Sequence, residues 1–151
     1  MRRLSKIFLF ILTIFIAGNP VKSQNKSDME KNTNINGGIV FFATEKLDSV
    51  TDFYIEKIGC ELWLDQGACK ILKHGNMLFG FCKSDHVDKG AVITFFYPEK
   101  EMVDKMYSRM KNIAEDKPKM NPKFNIYHFY GLDPENRSIE FQYFDHELKT
   151  Y

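Results

Sequence analysis

The sequence lacks several features that would point directly to a function. Lys and Arg number 21 against 20 Asp and Glu, and the two signs are mixed along the chain, so no basic stripe is available to neutralise phosphates. Nucleic acid is therefore not an expected partner. A phosphate-binding glycine loop, a dinucleotide fingerprint and a Ser/His/Asp signature are all missing, and the four histidines show no metal-ligand spacing.

Cysteine is also scarce. Cys60, Cys69 and Cys82 are an odd number without paired C-x-x-C spacing, which suits neither a complete disulfide framework nor a zinc site. Each lies at or beside an apolar segment, so we expect three small buried hydrophobic side chains. Cysteine content alone does not identify the compartment.

A long apolar run occurs at the start of the chain. "MRRLSK" is basic, "IFLFILTIFIAG" is apolar, and "NPVKSQ" places small residues where a signal peptidase reads them. Residues 1–23 are thus predicted to be a signal peptide, and the protein to be exported to the periplasm or secreted. The run is too short for a stable membrane span. The alternative is a cytoplasmic protein whose translation starts at Met29. Residues 24–36 are polar and predict a disordered lead-in.

Two segments of the remaining chain resemble each other. Residues 37–59 and 90–114 each open with glycine, continue as a β-branched and aromatic strand with a Phe pair, and enter a helix. The Phe pairs, 41–42 and 95–96, recur at a spacing of roughly 54 residues, which indicates a duplicated supersecondary unit. At 151 residues the chain is long enough for one domain built from both units.

Each predicted helix has one apolar face and is followed by short strands. The apolar residues at helical spacing are Leu47, Val50, Tyr54 and Ile58 in the first helix, and Val103, Met106, Met110 and Ile113 in the second. Turn signals then separate the strands, although Pro118 and Pro122 predict that the strand after the second helix is short, at an edge, or replaced by a loop. The predicted order is β-α-β-β-β twice, an α+β fold with units 37–82 and 90–146 and a tail at 147–151.

This duplication, with "FY…IGCELW" after the first helix and "DPENRSIEFQYF" at the end, resembles the vicinal oxygen chelate superfamily. That superfamily includes glyoxalase I, bleomycin resistance proteins, extradiol dioxygenases and methylmalonyl-CoA epimerases. The resemblance implies a mixed sheet that curls around a cleft in residues 37–146, and often a homodimer. It also implies a divalent metal held by the first and last strands of each unit.

Glu140 matches the family's metal ligand on the last strand of the second unit. Strand alternation places Glu140, Gln142 and Phe144 on one face, and Ile139, Phe141 and Tyr143 on the other. The remaining ligand positions fall near Gly38 or Ile39, Ala91 or Val92, and Phe79 or Gly80, none of which offers a donor side chain. One carboxylate is not a metal site. We therefore expect no cofactor, with Zn, Ni, Fe or Mn at Glu140 as the alternative.

The function that this pattern favours is binding of a small molecule, planar or cationic, without metal chemistry. The predicted ligand-binding residues are Glu140, Gln142, Trp63, Tyr54 and Tyr127. His128 is the one histidine inside a predicted strand, where it travels with Ile126 and Tyr130. Three alternatives stay open: a metal-dependent glyoxalase-, epimerase- or dioxygenase-like enzyme, a dimeric interaction module with a vestigial cleft, and a structural Glu140 paired with Arg137, Arg109 or a lysine.

Overall fold

The computed structural model describes residues 37–149. The predicted signal peptide, the lead-in at 24–36 and the last two residues of the tail lie outside the described residues. The strands are β1 (Val40–Thr44), β2 (Glu61–Asp65), β3 (Cys69–His74), β4 (Met77–Lys83), β5 (Val92–Tyr97), β6 (Lys119–Asn121), β7 (Ile126–Leu132) and β8 (Ser138–Phe144). The helices are α1 (Leu47–Phe53), which continues into a π-helical turn (Tyr54–Ile58), and α2 (Lys100–Met110).

The strands form two four-stranded mixed sheets with the same topology. The first sheet has the order β1-β4-β3-β2 and the second has the order β5-β8-β7-β6. In each, the first strand runs parallel to the last strand of its unit, and the other pairs are antiparallel. The predicted α+β fold with two β-α-β-β-β units is confirmed. The strand after α2 is the three-residue edge strand β6, as the two prolines indicated.

When the two units are aligned by their strand pairing, the Phe pairs are offset by one residue from the alignment that the sequence suggests. Phe42 packs against the core and is paired with Phe81, and Phe95 is 2% exposed and paired with Phe141. Phe41 and Phe96 point the other way, each 45% exposed. Phe42 and Phe95 are therefore the equivalent residues. The pairs were misaligned because two consecutive aromatic residues do not show which one faces inward.

The two units share one hydrophobic core. Helix α1 with its π-helical turn buries the four residues predicted for its apolar face, and α2 buries Val103, Met106 and Met110. Ile113 lies beyond the end of α2 and is partly buried. The Tyr54 ring stacks on Phe81 and also contacts Phe95 of the second sheet, at centroid distances of 5.1 and 6.4 Å. The helix-covered faces of both sheets therefore contribute to one core.

A buried ionic cluster on the β7–β8 loop joins the second unit to the first. Arg137 is 1% exposed and binds the carboxylates of Asp133 and Glu135 at 2.8 and 2.7 Å. Glu135 also accepts hydrogen bonds from the hydroxyl of Thr44 and from two backbone N–H groups that precede α1. Glu135 thereby satisfies the N–H groups of the N-cap residue Lys46 and of Glu45 before it.

Helices in the described part of the chain are short. None of those between residues 37 and 149 combines the length and the hydrophobicity that crossing a membrane requires.

Candidate functional site

Strand β8 separates its side chains between the core and the opposite face of the second sheet. Ile139 and Phe141 are fully buried in the core, whereas Glu140 and Gln142 lie on the other face and are each 8% exposed. The predicted alternation is confirmed. We call this face, opposite α2, the open face of the second sheet.

Glu140 is held by side chains from the two neighbouring strands. The hydroxyl of Thr94, its partner in β5, donates to Oε2 at 3.0 Å. From β7, Nδ1 of His128 lies 2.6 Å from Oε1, and both side chains are about nine-tenths buried. Each carboxylate oxygen therefore has a polar partner, which offsets the cost of removing the charge from water.

His128 is a different partner from the cations that the sequence suggested for Glu140. Arg137 is not bound to Glu140 because its guanidinium is occupied by Asp133 and Glu135. Arg109 is exposed on α2, which packs against the other face of the sheet. His128 pairs with Glu140 instead. It lies on the adjacent strand β7, opposite Gln142, which is two residues from Glu140 in β8.

Tyr130 completes the polar group around Glu140. The two residues are direct partners across β7 and β8. Burial raises the pKa of the Tyr130 phenol, and the negative charge of Glu140 and a hydrogen bond to it raise it further. The phenol therefore stays protonated at neutral pH and is a hydrogen-bond donor.

Glu140 and Tyr130 line a recess of about 400 Å³ on the open face. Its polar side chains include two amides, a phenol and a carboxylate, and its apolar ones include two aromatic rings. The lining residues are Asn121, Phe124, Ile126, Tyr130, Glu140, Gln142 and Phe144. An apolar recess with a few convergent polar groups is the usual form of a small-molecule site.

The structure brings Glu140 and Gln142 together but places the other three predicted site residues elsewhere. Tyr54 is fully buried in the core, with its hydroxyl 3.3 Å from Asp133 Oδ2, so it does not line the recess. Tyr127 faces α2, where its hydroxyl donates to Asp104 at 2.8 Å, so it cannot line the recess either. Trp63 is half exposed at a bulge in β2, an edge strand of the first sheet.

Sequence reasoning missed His128, Thr94 and Tyr130 as members of this site. The alternation of β7 already placed His128 and Tyr130 on one face. What was missing was the pairing of β7 with β8, which sets Tyr130 opposite Glu140. The short "DPEN" turn between the two strands was the available signal, since a short hairpin loop restricts the register.

The equivalent surface of the first sheet is apolar. Phe41 and Gly80 are paired there as Thr94 and Glu140 are in the second sheet, and Ile71 is paired with Gly80 as Tyr130 is with Glu140. A Cβ atom on Gly80 would lie 2.7 Å from the Phe41 ring. The first unit therefore has no side chain at the position of Glu140 and no room for one without a shift of Phe41.

A divalent metal does not fit the donors that residues 37–149 offer. In the described range, 37–149, no three His, Cys, Asp or Glu side chains are grouped closely enough to hold an ion. Glu140 and His128 could supply two metal ligands, but their side chains already bind each other. Two such donors fall short of the three or more protein ligands that a resident zinc or similar ion uses.

The cysteines differ from the expectation of three small buried hydrophobic side chains. Cys69 and Cys82 are opposite each other in β3 and β4 and form a disulfide. Cys60 is buried and free, as expected, and burial raises the pKa of its thiol to about 12. The pairing was missed because it depends on the register of two strands and not on sequence spacing.

Comparison with known proteins identifies the fold. No family model and no curated protein matches the sequence. Among solved structures, a glyoxalase/bleomycin resistance protein/dioxygenase from Nocardioides is 13% identical, with a TM-score of 0.64 over 83% of this chain and 93% of its own. A protein with the same description from Alicyclobacillus acidocaldarius is 22% identical, with a TM-score of 0.61 over 76% and 94%.

A lactoylglutathione lyase from Agrobacterium tumefaciens is 21% identical, with a TM-score of 0.59 over 70% of this chain and 90% of its own. At these identities the likeness concerns the fold and not the chemistry. The duplicated units, the strand order and these neighbours agree: the chain has the glyoxalase/bleomycin resistance fold.

Proposed function

We propose that the protein binds a small molecule in the recess on the open face of the second sheet, without a metal. The observation that carries this proposal is the buried Glu140 carboxylate, held by His128 and Thr94 beside aromatic rings. A charge buried at the floor of a recess is costly unless it is paired, and here the pairing is supplied by two neighbouring strands. Its position is therefore fixed before any ligand arrives, which lowers the entropic cost of binding.

The lining favours a planar ligand with hydrogen-bond donors and a full or partial positive charge. Phe124 and Phe144 offer flat apolar surfaces on which a planar group can stack. Glu140 is the acceptor and Tyr130 the donor, whereas the amides of Asn121 and Gln142 can act as either. A ligand of this class would match both the aromatic surfaces and the carboxylate.

The test is a ligand screen with variants that separate charge from shape. Planar cationic heteroaromatics are screened by protein NMR against the wild type, Glu140→Gln and Tyr127→Phe. Glu140→Gln keeps the side-chain size but removes the charge, and Tyr127→Phe changes the opposite face of the same sheet. We expect ligands found with the wild type to weaken about tenfold or more in Glu140→Gln, and to be unaffected by Tyr127→Phe.

Elemental analysis decides between this proposal and the metal-dependent enzyme. Protein 24–151, prepared without chelator or affinity tag, is compared with Glu140→Gln. About one zinc, nickel, iron or manganese per chain, lost in the variant, would contradict metal-free binding and favour a glyoxalase-, epimerase- or dioxygenase-like reaction. Ligands that bind Glu140→Gln as tightly as the wild type would contradict the role of the carboxylate.

Exposed apolar residues on two edge strands favour a homodimer as an additional proposal. Val40 and Phe41 in β1, and Val92 and Phe96 in β5, are 45–59% exposed. β1 and β5 are edges of their sheets and equivalent in the repeat, so a second copy related by a twofold axis could pair them reciprocally. Light scattering coupled to size exclusion measures the mass. A monomer at micromolar concentration would contradict the homodimer.

We also propose export, which the Cys69–Cys82 disulfide supports. Structural disulfides persist in oxidising compartments and are rare in the cytosol. Mass spectrometry of the protein from its native host measures both the N-terminus and the oxidation state. A chain that begins at Met29 with three free thiols would instead favour the cytoplasmic alternative.

A further inference from the structure

A groove runs along the outside of the domain where the two units meet, separate from the recess. It has a volume of about 280 Å³ and lies between the end of the π-helical turn, the end of α2 and the β7–β8 loop. Its apolar lining residues are Phe53, Met110, Ile113, Leu132 and Pro134, and its polar ones are Lys57, Arg109, Asn112 and Asp133. The groove therefore combines an apolar surface with charged side chains.

The positive charges of the groove are not neutralised by carboxylates of the described residues. Neither Lys57 nor Arg109 forms an ion pair with a carboxylate within residues 37–149. The carboxylate in the lining, Asp133, already binds Arg137 at 2.8 Å and accepts from Tyr54. Two cations therefore line the groove beside an apolar surface, and no carboxylate of residues 37–149 pairs with either of them.

A second hollow beside Arg109 contains a polar atom that lacks a partner. It has a volume of about 310 Å³ and is lined by Tyr97, Met102, Lys105, Met106 and Arg109. Among the buried side-chain nitrogen and oxygen atoms of residues 37–149, the Tyr97 hydroxyl oxygen is the one that makes no hydrogen bond. Burial raises the pKa of Tyr97 to about 12, with a smaller contribution from Cys60 and an opposing one from Arg109, so the hydroxyl is a donor. A buried donor without an acceptor is unusual and unfavourable.

We infer that this groove is a second binding site, for an organic monoanion with an apolar body such as a medium-chain carboxylate. The anionic head lies at Arg109, which lines both hollows, whereas Lys57 lines the first hollow and Tyr97 the second. The apolar body covers Met110, Ile113 and neighbouring apolar side chains. Charge-assisted hydrogen bonds to the head would use the unpaired cations and give Tyr97 the acceptor that it lacks.

The second site does not depend on the proposed function. The recess offers a carboxylate and favours a cationic ligand, whereas the groove offers cations and favours an anion. The two sites lie on different surfaces, and chemical shifts of residues near each one report binding separately. A protein that fails in one test can therefore still succeed in the other.

The experiment titrates octanoate, 1-octanol and octylammonium into ¹⁵N-labelled protein. We expect saturable shifts around Arg109 and Met110 with octanoate, and much weaker ones with octylammonium. Arg109→Gln and Lys57→Gln are each expected to weaken octanoate about fivefold, the effect of losing one partly exposed charge contact. Tyr97→Phe removes the donor and keeps the ring. Lys111→Gln removes an exposed cation outside the lining and is the matched control.

Three results would overturn the inference. The first is 1-octanol binding as tightly as octanoate, because the cations would then contribute nothing. The second is octanoate affinity that is unchanged in the Arg109, Lys57 and Tyr97 variants, or reduced equally in Lys111→Gln. The third is the absence of saturable shifts around Arg109 at millimolar octanoate.

Discussion

Replacing Arg137 with methionine should remove the cation of the ionic cluster that joins the two units. The guanidinium donates four hydrogen bonds of 2.7–2.9 Å: to the carboxylates of Asp133 and Glu135 and to the backbone oxygens of Ala43 and Asp88. Methionine has a similar volume and no donor. Arg137→Met therefore tests the loss of charge and hydrogen bonds with little change in packing.

The size of the effect is set by the groups that the substitution leaves unpaired. Two carboxylates, 4% and 5% exposed by residue, lose their cation, and one-sided disruption of a buried ion pair costs about 3–5 kcal/mol. For a domain of about 100 residues, 1 kcal/mol lowers Tm by about 4–8 °C, so we expect a decrease of at least about 12 °C. This is a large part of the 5–15 kcal/mol that typically stabilises a domain.

The pH dependence separates the ionic contribution from general loss of packing. Burial alone would raise the pKa of the Glu135 carboxyl, but hydrogen bonds from Thr44 and Arg137 and the Arg137 charge lower it below its ordinary value. In the wild type this stabilisation is present above the pH range where glutamate ordinarily titrates and is lost as pH falls through the lowered pKa. In the variant Glu135 keeps the burial that raises its pKa but loses the Arg137 contributions that lower it, so the two free energies of unfolding should converge as pH falls.

Urea unfolding from neutral pH to below the range where glutamate ordinarily titrates measures this convergence, with Arg109→Met as the control. Arg109 is exposed and forms no ion pair within residues 37–149, so its replacement should change the free energy of unfolding by less than about 0.5 kcal/mol. A loss of less than about 1 kcal/mol in Arg137→Met, or a difference from the wild type that does not change with pH, would refute the reasoning.

Two further predictions concern the first sheet. The Cys69–Cys82 disulfide closes a loop of sequence separation 13, so Cys69→Ala with Cys82→Ala should lower the free energy of unfolding by about 3 kcal/mol in urea titrations. Alkylation of the unfolded, unreduced protein should modify one thiol, and three modified thiols would contradict the disulfide. Gly80→Ala should cost about 1–3 kcal/mol because its Cβ would lie 2.7 Å from the Phe41 ring, whereas Gly90→Ala meets nothing within 4 Å. Phe41→Ala should reduce the cost of Gly80→Ala, and strictly additive effects would show that the two side chains do not clash.

The fold was predictable because its signals are local. Apolar residues at helical spacing defined the buried faces of α1 and α2, and alternation divided β8 between Ile139 and Glu140. Glycine and proline defined the turns and the weak edge strand. None of these inferences requires knowledge of which strands are neighbours. The same local signals could not decide which member of each Phe pair faces the core, since both members are equally apolar.

The site was less predictable because its contacts cross between strands. Glu140 is bound by residues 12 and 46 positions away in sequence, His128 and Thr94, and each contact depends on the register of a different strand pair. The Cys69–Cys82 bond is missed for the same reason. Charge alone suggested an arginine or lysine partner for Glu140, but the nearest arginine in sequence, Arg137, is used by Asp133 and Glu135.

The two units also show that one backbone arrangement can support two different surfaces. Equivalent positions hold Phe41, Gly80 and Ile71 in the first sheet, where an aromatic ring covers a glycine. In the second sheet they hold Thr94, Glu140 and Tyr130, a connected polar group. Glycine is compatible with the first arrangement because the ring needs its space, and a carboxylate is compatible with the second because hydroxyl and imidazole partners surround it.

Exchanging the residues singly would therefore fail in both sheets: a carboxylate at position 80 would meet Phe41 without a donor, and a glycine at position 140 would leave His128 and Thr94 without their acceptor. The chemistry of each surface thus depends on several residues from neighbouring strands, which is why Glu140 alone did not reveal the site.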